Sequence, residues 1–278
     1  MPSATGFQIA FLLFAFEFFS MLAVRTLAPL IGWPAEQFEL LGQLMSFSVG
    51  ALILFGHPGL RRYCLAELRV PVSAGSSIEL AVVSFAKLAI PFALVGGIVI
   101  HAFATGSVET VQSRIRTMDP AVAWEITLSP LGLLRLVLLS WIVGPVIEEL
   151  VFRGLLYRAF ERRWGWLASM ALTSLLFGLV HPTRIVATAL GSVILVCLLR
   201  RTGSLRACIL VHMMFNVLIS WPLLGQLLLT APAGSPADLA TWTFPLACLT
   251  FAAVALPVYV WMSRRDTGPA DFTRVLAS

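Results

Sequence analysis

Residues 142–163, IVGPVIEELVFRGLLYRAFERR, place two adjacent carboxylates and an arginine inside an apolar sequence. Glu149 and Arg153 are four residues apart, so on a helix they share one face and can form an ion pair. Glu148 lies about 100° around the same helix, and its own i+4 position holds Phe152 rather than a cation. A structural ion pair and a functional site both account for this pattern.

Two histidines in other apolar segments extend this group of polar residues. His181 ends the run LTSLLFGLVH and follows Phe177 by four residues, while His212 lies inside ACILVHMMFNVLIS and precedes Asn216 by four. A single histidine in such a run is usually a core residue with satisfied hydrogen bonds. The i,i+4 spacing, however, directs His212 and Asn216 to one helical face.

Carboxylate, histidine and asparagine side chains gathered inside lipid could bind a proton or an ion, or they could activate water. For hydrolysis, a carboxylate acts as general base toward water, and a histidine holds the same water or a metal. A second histidine and an asparagine can donate hydrogen bonds to the oxyanion of a tetrahedral intermediate. The sequence has no HExxH motif, so a zincin mechanism has no local signature.

The composition defines the setting of these residues. Of 278 residues, 59% are hydrophobic and 12% are charged, whereas about 25% of residues are charged in a typical soluble domain. Apolar runs of 18 or more residues recur and are long enough to cross a bilayer core of about 30 Å. The sequence predicts an all-α, polytopic bundle of transmembrane helices, in which a mid-span carboxylate costs about 2.5–3.5 kcal/mol.

Hydropathy and turn residues predict about eight spans in one membrane domain covering residues 1–278. We found no internal repeat, low-complexity tract or soluble domain. The first apolar run has no Lys or Arg before Arg25, which favours a first span over a cleaved signal peptide. The predicted spans are 7–30, 39–57, 78–102, 129–150 (continuing as helix to about 163), 165–181, 184–200, 205–229 and 239–262.

Loop arginines predict the orientation. Twelve arginines follow the even-numbered spans and three lie on the opposite side, so the positive-inside rule places both termini in the cytoplasm. In a bacterium this means the inner membrane. Because the net charge of +5 is concentrated beside the spans, it favours orientation in a lipid bilayer over binding of nucleic acid. Four cysteines lack paired or CxxC spacing, and the three in apolar runs are expected to be core residues rather than disulfide or metal ligands.

The depth of the polar residues gives one difficulty. His212 lies about eight residues into its predicted span, and Glu148 lies at a comparable distance from the arginines at 158–163. His181, in contrast, ends its span and would lie too far out. Either its predicted boundaries are wrong by several residues, or its helix is short and tilted.

These motifs resemble the CAAX-protease and bacteriocin-processing family, which includes the type II CAAX prenyl endopeptidases. The family is marked by EExxxR, FxxxH and HxxxN, in that order on successive transmembrane helices. Each motif alone is weak, but three in order on an apolar chain are specific, and the resemblance covers about residues 129–220. The matching residues are Glu148, Glu149 and Arg153 in EELVFR, Phe177 and His181 in FGLVH, and His212 and Asn216 in HMMFN.

The resemblance implies an intramembrane endopeptidase. Carried over by position, Glu148 and His181 would activate the water, and His212 and Asn216 would form the oxyanion hole. Glu149 would support the site and share in catalysis.

Arg153 and Phe177 would be supporting residues. The family has been described both as metal-dependent and, on the favoured account, as glutamate-dependent without a cofactor. If zinc is present, Glu148, His181 and His212 are acceptable ligands.

The implied substrate is a membrane-associated protein or peptide, and the sequence does not say whether it is prenylated. Two other classes remain as alternatives. A non-catalytic immunity or scaffold protein would have no need to retain six polar residues in lipid. A proton-coupled transporter usually shows inverted repeats with broken helices, and we find none.

Overall fold

The computed structural model describes residues 35–72, 76–107, 135–181, 184–219 and 236–264, and eight isolated positions between 12 and 32. Within these residues every regular element is a helix. The prediction of an all-α protein is therefore confirmed. The predicted span 7–30 and the end of the predicted span 205–229 lie largely outside the described residues.

The first described helices are α1 (Ala35–Gly56), α2 (Pro58–Arg69) and α3 (Ser76–Thr105). A bend of 97° separates α1 from α2. His57 caps α2 at this bend, where its Nδ1 accepts from the Leu60 N–H at 3.3 Å and Pro58 occupies the first helical turn. Since proline is favoured at that position, the sequence Gly-His-Pro both ends one helix and begins the next.

The helix that carries the Glu pair contains two π-helical segments around a short α-helical one. The segments are Arg135–Val143 (π), Gly144–Glu149 (α) and Leu150–Tyr157 (π), and they continue into Arg158–Leu179 (α). π-Helical insertions are rare and occur often at functional sites. Both glutamates lie in the α-helical turn between the two wider segments.

Gly165 divides this long helical stretch in two. Its φ of 73° and ψ of 170° belong to a region that only glycine adopts readily. We call residues 135–164 α4 and residues 166–179 α5. The 14 residues of α5 extend about 21 Å, so α5 is shorter than the bilayer core.

The remaining helices are α6 (Ile185–Thr202), α7 (Leu205–Ile219) and α8 (Pro236–Met262). Gly203, with φ 65°, ends α6 in a left-handed cap and donates its N–H to the Leu199 carbonyl at 2.8 Å. Helix α6 is the core of the bundle. Its residues 194–199 are all buried, and it packs against α3, α5 and α7.

Side-chain contacts bring four predicted cytoplasmic segments together at one end of the bundle. Arg158 of α4 lies 3.7 Å from Glu67 of α2. Arg200, near the end of α6, lies 2.5 Å from Glu161 and donates to the Ser263 carbonyl, just after α8, at 3.2 Å.

The span count is not confirmed. Among the described residues, Ile185–Thr202 is by itself long and apolar enough to cross a membrane, and Leu40–Gly56 with Pro58–Arg69 passes only as a bent pair.

Candidate active site

The predicted ion pair of the Glu motif is present. Arg153 Nη1 donates to Glu149 Oε1 at 3.0 Å, and both side chains are completely buried in the bundle. The pair follows directly from the i,i+4 spacing. It holds one carboxylate of the two in a fixed, fully buried position.

His212 of α7 links the two glutamates of α4. Its Nδ1 lies 2.8 Å from Glu149 Oε1, and its Nε2 lies 3.7 Å from Glu148 Oε2. Glu149 therefore bonds to both Arg153 and His212. Glu148 has no cation at its own i+4 position, and its neighbour is instead the His212 ring, 64 positions further along the chain. The 3.7 Å separation is too long for a direct hydrogen bond.

The Phe177 ring of α5 contacts one side chain from each of the three motifs. It lies 4.4 Å from the Arg153 guanidinium carbon, 4.8 Å from the His181 ring and 5.9 Å from the His212 ring. An arginine over an aromatic face is stabilised by the ring quadrupole. This position explains why the second motif contains a phenylalanine as well as a histidine.

His181 lies just beyond the end of α5. Its Nδ1 is 2.8 Å from the Phe177 carbonyl oxygen, and its backbone N–H donates to the Gly178 carbonyl at 2.9 Å. Because α5 is short, the residue after its end reaches the level of His212. The depth difficulty of the sequence is explained by a short helix.

Asn216 is held by an irregular part of α4. Its Nδ2 donates to the Ser140 carbonyl oxygen at 2.8 Å. In a π-helix the N–H five residues later would bond to this oxygen, but residue 145 is proline and has no N–H. The Ser140 carbonyl can therefore accept from a neighbouring helix.

A cavity of about 360 Å³ joins these residues. Glu149 and Arg153 lie behind its wall, where they hold the residues that face it. The lining includes five residues predicted from the motifs, which are Glu148, Phe177, His181, His212 and Asn216.

Sequence reasoning missed Lys87, which also lines this cavity from α3. Lys87 is 4% exposed, and its Nζ lies 4.4 Å from the centre of the Phe215 ring. A signal was available, because Lys87 is the only lysine of the chain and lies in an apolar run. Intramembrane ionisable residues are functional candidates by default.

The zinc alternative can be tested against the donor set. Across the described parts of the chain, no group of three or more His, Cys, Asp or Glu side chains is placed to hold a metal ion. Glu148, His181 and His212 share the cavity without converging as such a group.

Residues 130–218 match the family model described as "Type II CAAX prenyl endopeptidase Rce1-like". The match begins before the Glu pair and ends after Asn216, so it contains all three motifs. The resemblance seen in the sequence is confirmed for this segment, which is about a third of the chain.

A curated protein of Bacillus subtilis (strain 168), named "Putative membrane peptidase YdiL", is 29% identical to this chain over 87 residues. The aligned part is 30% of this chain and 35% of that protein, so it spans about a third of the curated relative. No solved structure matches the chain significantly. Both descriptions name peptidases, and both similarities cover about a third of this chain.

Proposed function

We propose that the chain is an intramembrane endopeptidase that hydrolyses a peptide bond of a membrane-associated protein or peptide. One observation carries the proposal. Three motifs, far apart in sequence, line one cavity in which Glu148 and Nε2 of His212 face each other across 3.7 Å. An oxygen atom placed between them can lie within hydrogen-bond distance of both.

Glu148 is the proposed general base. The water oxygen attacks the peptide carbonyl carbon while one water proton passes to Glu148. The intermediate then collapses, the C–N bond breaks, and the same proton moves to the leaving amine. A positioned carboxylate contributes about 100- to 10,000-fold in such a step.

His181 is proposed to hold the water. A carbonyl oxygen only accepts hydrogen bonds, so the bond to the Phe177 carbonyl requires the proton on Nδ1. A neutral His181 then presents Nε2 as an acceptor for a water proton.

His212 and Asn216 are the proposed oxyanion donors. With Nδ1–H directed at the Glu149 carboxylate, a neutral His212 has no proton on Nε2. It can donate to the oxyanion only as the doubly protonated ring, paired with Glu149. Asn216 Nδ2, which donates to the Ser140 carbonyl, is an amide donor and needs no such change of protonation.

The topology belongs to the proposal as well. We propose eight spans with both termini in the cytoplasm, because the contacts among α2, α4, α6 and the end of α8 unite the predicted cytoplasmic arginines. A substrate would then enter the cavity from the cytoplasmic face or laterally from lipid.

The test uses the purified full-length protein with two quenched fluorescent peptides, one prenylated and one a short transmembrane segment. Hydrolysis of either peptide supports the proposal, and the preferred one identifies the substrate class. Proton flux in liposomes without hydrolysis would instead identify a transporter. If the protein shows neither hydrolysis nor proton flux, the result favours the scaffold class.

A further inference from the structure

Lys87 is a buried cation that the proposed reaction does not use. It lies outside the segment 130–218 that the family model matches, and its side chain is almost completely buried while lining the cavity. Within the described part of the chain it makes no hydrogen bond or ion pair. Its Nζ lies 4.4 Å from the centre of the Phe215 ring.

The packing around Lys87 directs its ammonium group into the cavity. The stem passes over Gly191 of α6, where an added Cβ would lie only 3.0 Å from Lys87 Cε and 3.6 Å from Cγ. Phe215 of α7 supports Nζ from another side. A larger residue at position 191 would collide with the Lys87 stem, so the glycine leaves the space that this side chain occupies.

The carboxylates nearby are already engaged. Glu149 bonds to Arg153 and His212, and Glu148 faces His212. No described carboxylate lies within ion-pair distance of Lys87. A buried ammonium without a counter-ion is costly, and a cation–π contact offsets only part of that cost.

Two further basic side chains line the cavity. Arg135 and Arg184 line it together with Lys87, against the single carboxylate of Glu148. Arg135 Nε donates to Gln43 Oε1 at 3.0 Å, and Arg184 is exposed. A cavity with three cations and one anion attracts an anionic ligand.

We propose that Lys87 is a specificity-determining residue that binds a carboxylate of the substrate. This inference rests on the proposed function. The carboxylate is either the C-terminal group of the peptide or an acidic side chain, since both offer the same charge-assisted hydrogen bond. Phe215 lies next to Asn216 and three residues after His212, so a carboxylate at Lys87 would hold the peptide beside the row of proposed oxyanion donors.

The experiment uses one quenched fluorescent peptide in three forms. The first has a free C-terminal carboxylate and neutral side chains, the second is its C-terminal amide, and the third is the amide with one internal glutamate. Cleavage by wild type, Lys87→Met and Lys87→Arg is measured in detergent. Ser84→Ala is the matched control, because Ser84 is buried one turn earlier on α3 and does not line the cavity.

Wild type and Ser84→Ala should prefer one carboxylate form over the neutral amide, and the preferred form identifies the source of the carboxylate. Lys87→Met should raise KM for that form by about 10- to 100-fold, as expected for a lost hydrogen bond to a charged group. Its kcat, and its kinetics with the neutral amide, should change little. Lys87→Arg should keep most of the preference.

Two outcomes would overturn the inference. One is equal cleavage kinetics of wild type with all three peptides. The other is a loss of kcat by Lys87→Met that is the same for all three. Binding of the same peptides, measured by fluorescence anisotropy, separates this inference from the proposed function. Lys87-dependent preference in binding without any cleavage would support the inference and contradict the peptidase assignment.

Discussion

Arg153 is the residue whose loss should cost the most stability. Arg153→Ala would leave Glu149 fully buried, with His212 as its remaining partner among the described residues. Removing one member of a buried ion pair costs about 3–5 kcal/mol. We therefore expect a lower yield and a lower Tm as well as lost activity, measured on the detergent-purified protein.

The control for this change is Arg206→Ala. Arg206 is exposed at the start of α7, and a surface substitution changes stability by about 0.5 kcal/mol or less. A wild-type Tm for Arg153→Ala would show that the buried pair does not hold the site together.

His212 and Asn216 should act on the transition state. Removing one oxyanion donor costs about 100- to 1,000-fold in kcat, so His212→Ala and Asn216→Ala should depress kcat strongly and leave KM nearly unchanged. Since both donors would serve one oxygen, the double variant should lose less than the product of the single effects. Steady-state kinetics of the three variants provide the measurement.

Metal analysis of the same proteins separates the two accounts of His212. Zinc that is present in wild type, retained by Asn216→Ala and lost from His212→Ala would identify a metal ligand. That result would contradict the oxyanion role.

The contacts of the site residues also show what sequence spacing can and cannot predict. The Glu149–Arg153 pair follows from a local rule, and the structure contains it. The neighbour of Glu148 lies on another helix, 64 positions away, and no local pattern indicates that contact. The same applies to the bond between Asn216 and the Ser140 carbonyl.

At the scale of elements, Gly165 sets the position of α5 relative to α4. Gly165→Ala meets no atom within 4 Å of the new Cβ, so its effect comes from the backbone alone. Holding alanine at φ 73°, ψ 170° costs about 1–3 kcal/mol. The variant should lower Tm and also activity, because α5 carries Phe177 and α4 carries Glu148.

Gly97→Ala is the matched control within helix α3. Its added Cβ also meets no atom within 4 Å, but there the residue is helical, where alanine is favoured over glycine by about 0.5–1 kcal/mol. A Tm for Gly165→Ala equal to or above that of Gly97→Ala would contradict the role of the break.

The break at Gly165 lies where the predicted span 165–181 begins, and α5 ends at Leu179, two residues before the predicted end. The boundaries were therefore nearly right. The sequence could not place His181 near His212, because the Phe177 ring that lies between them joins helices far apart in the sequence. Lys87 was missed for a different reason, because the motifs that drew attention to the site lie on other helices.

At the scale of the whole molecule, the arginine asymmetry predicts the topology. Reporter fusions after Arg62, Arg163, Arg201 and Arg265 should all report the cytoplasm. Fusions near Arg114 and Pro232, which lie outside the described residues, should report the opposite side.

A non-cytoplasmic signal at Arg163 would overturn the eight-span arrangement. That signal would place Arg158 of α4 and Arg200 of α6 on different sides of the membrane. The structure instead holds the two helices together at this end through Glu161.

The central claim is that Glu148 activates water for peptide hydrolysis. The most direct measurement compares wild type with Glu148→Gln on the prenylated and transmembrane peptides. The substitution is nearly isosteric, and the Glu148 side chain lies beyond direct hydrogen-bond distance of His212, so yield and Tm should remain close to wild type. Turnover should fall by about 100-fold or more. Wild-type turnover by Glu148→Gln would contradict the account.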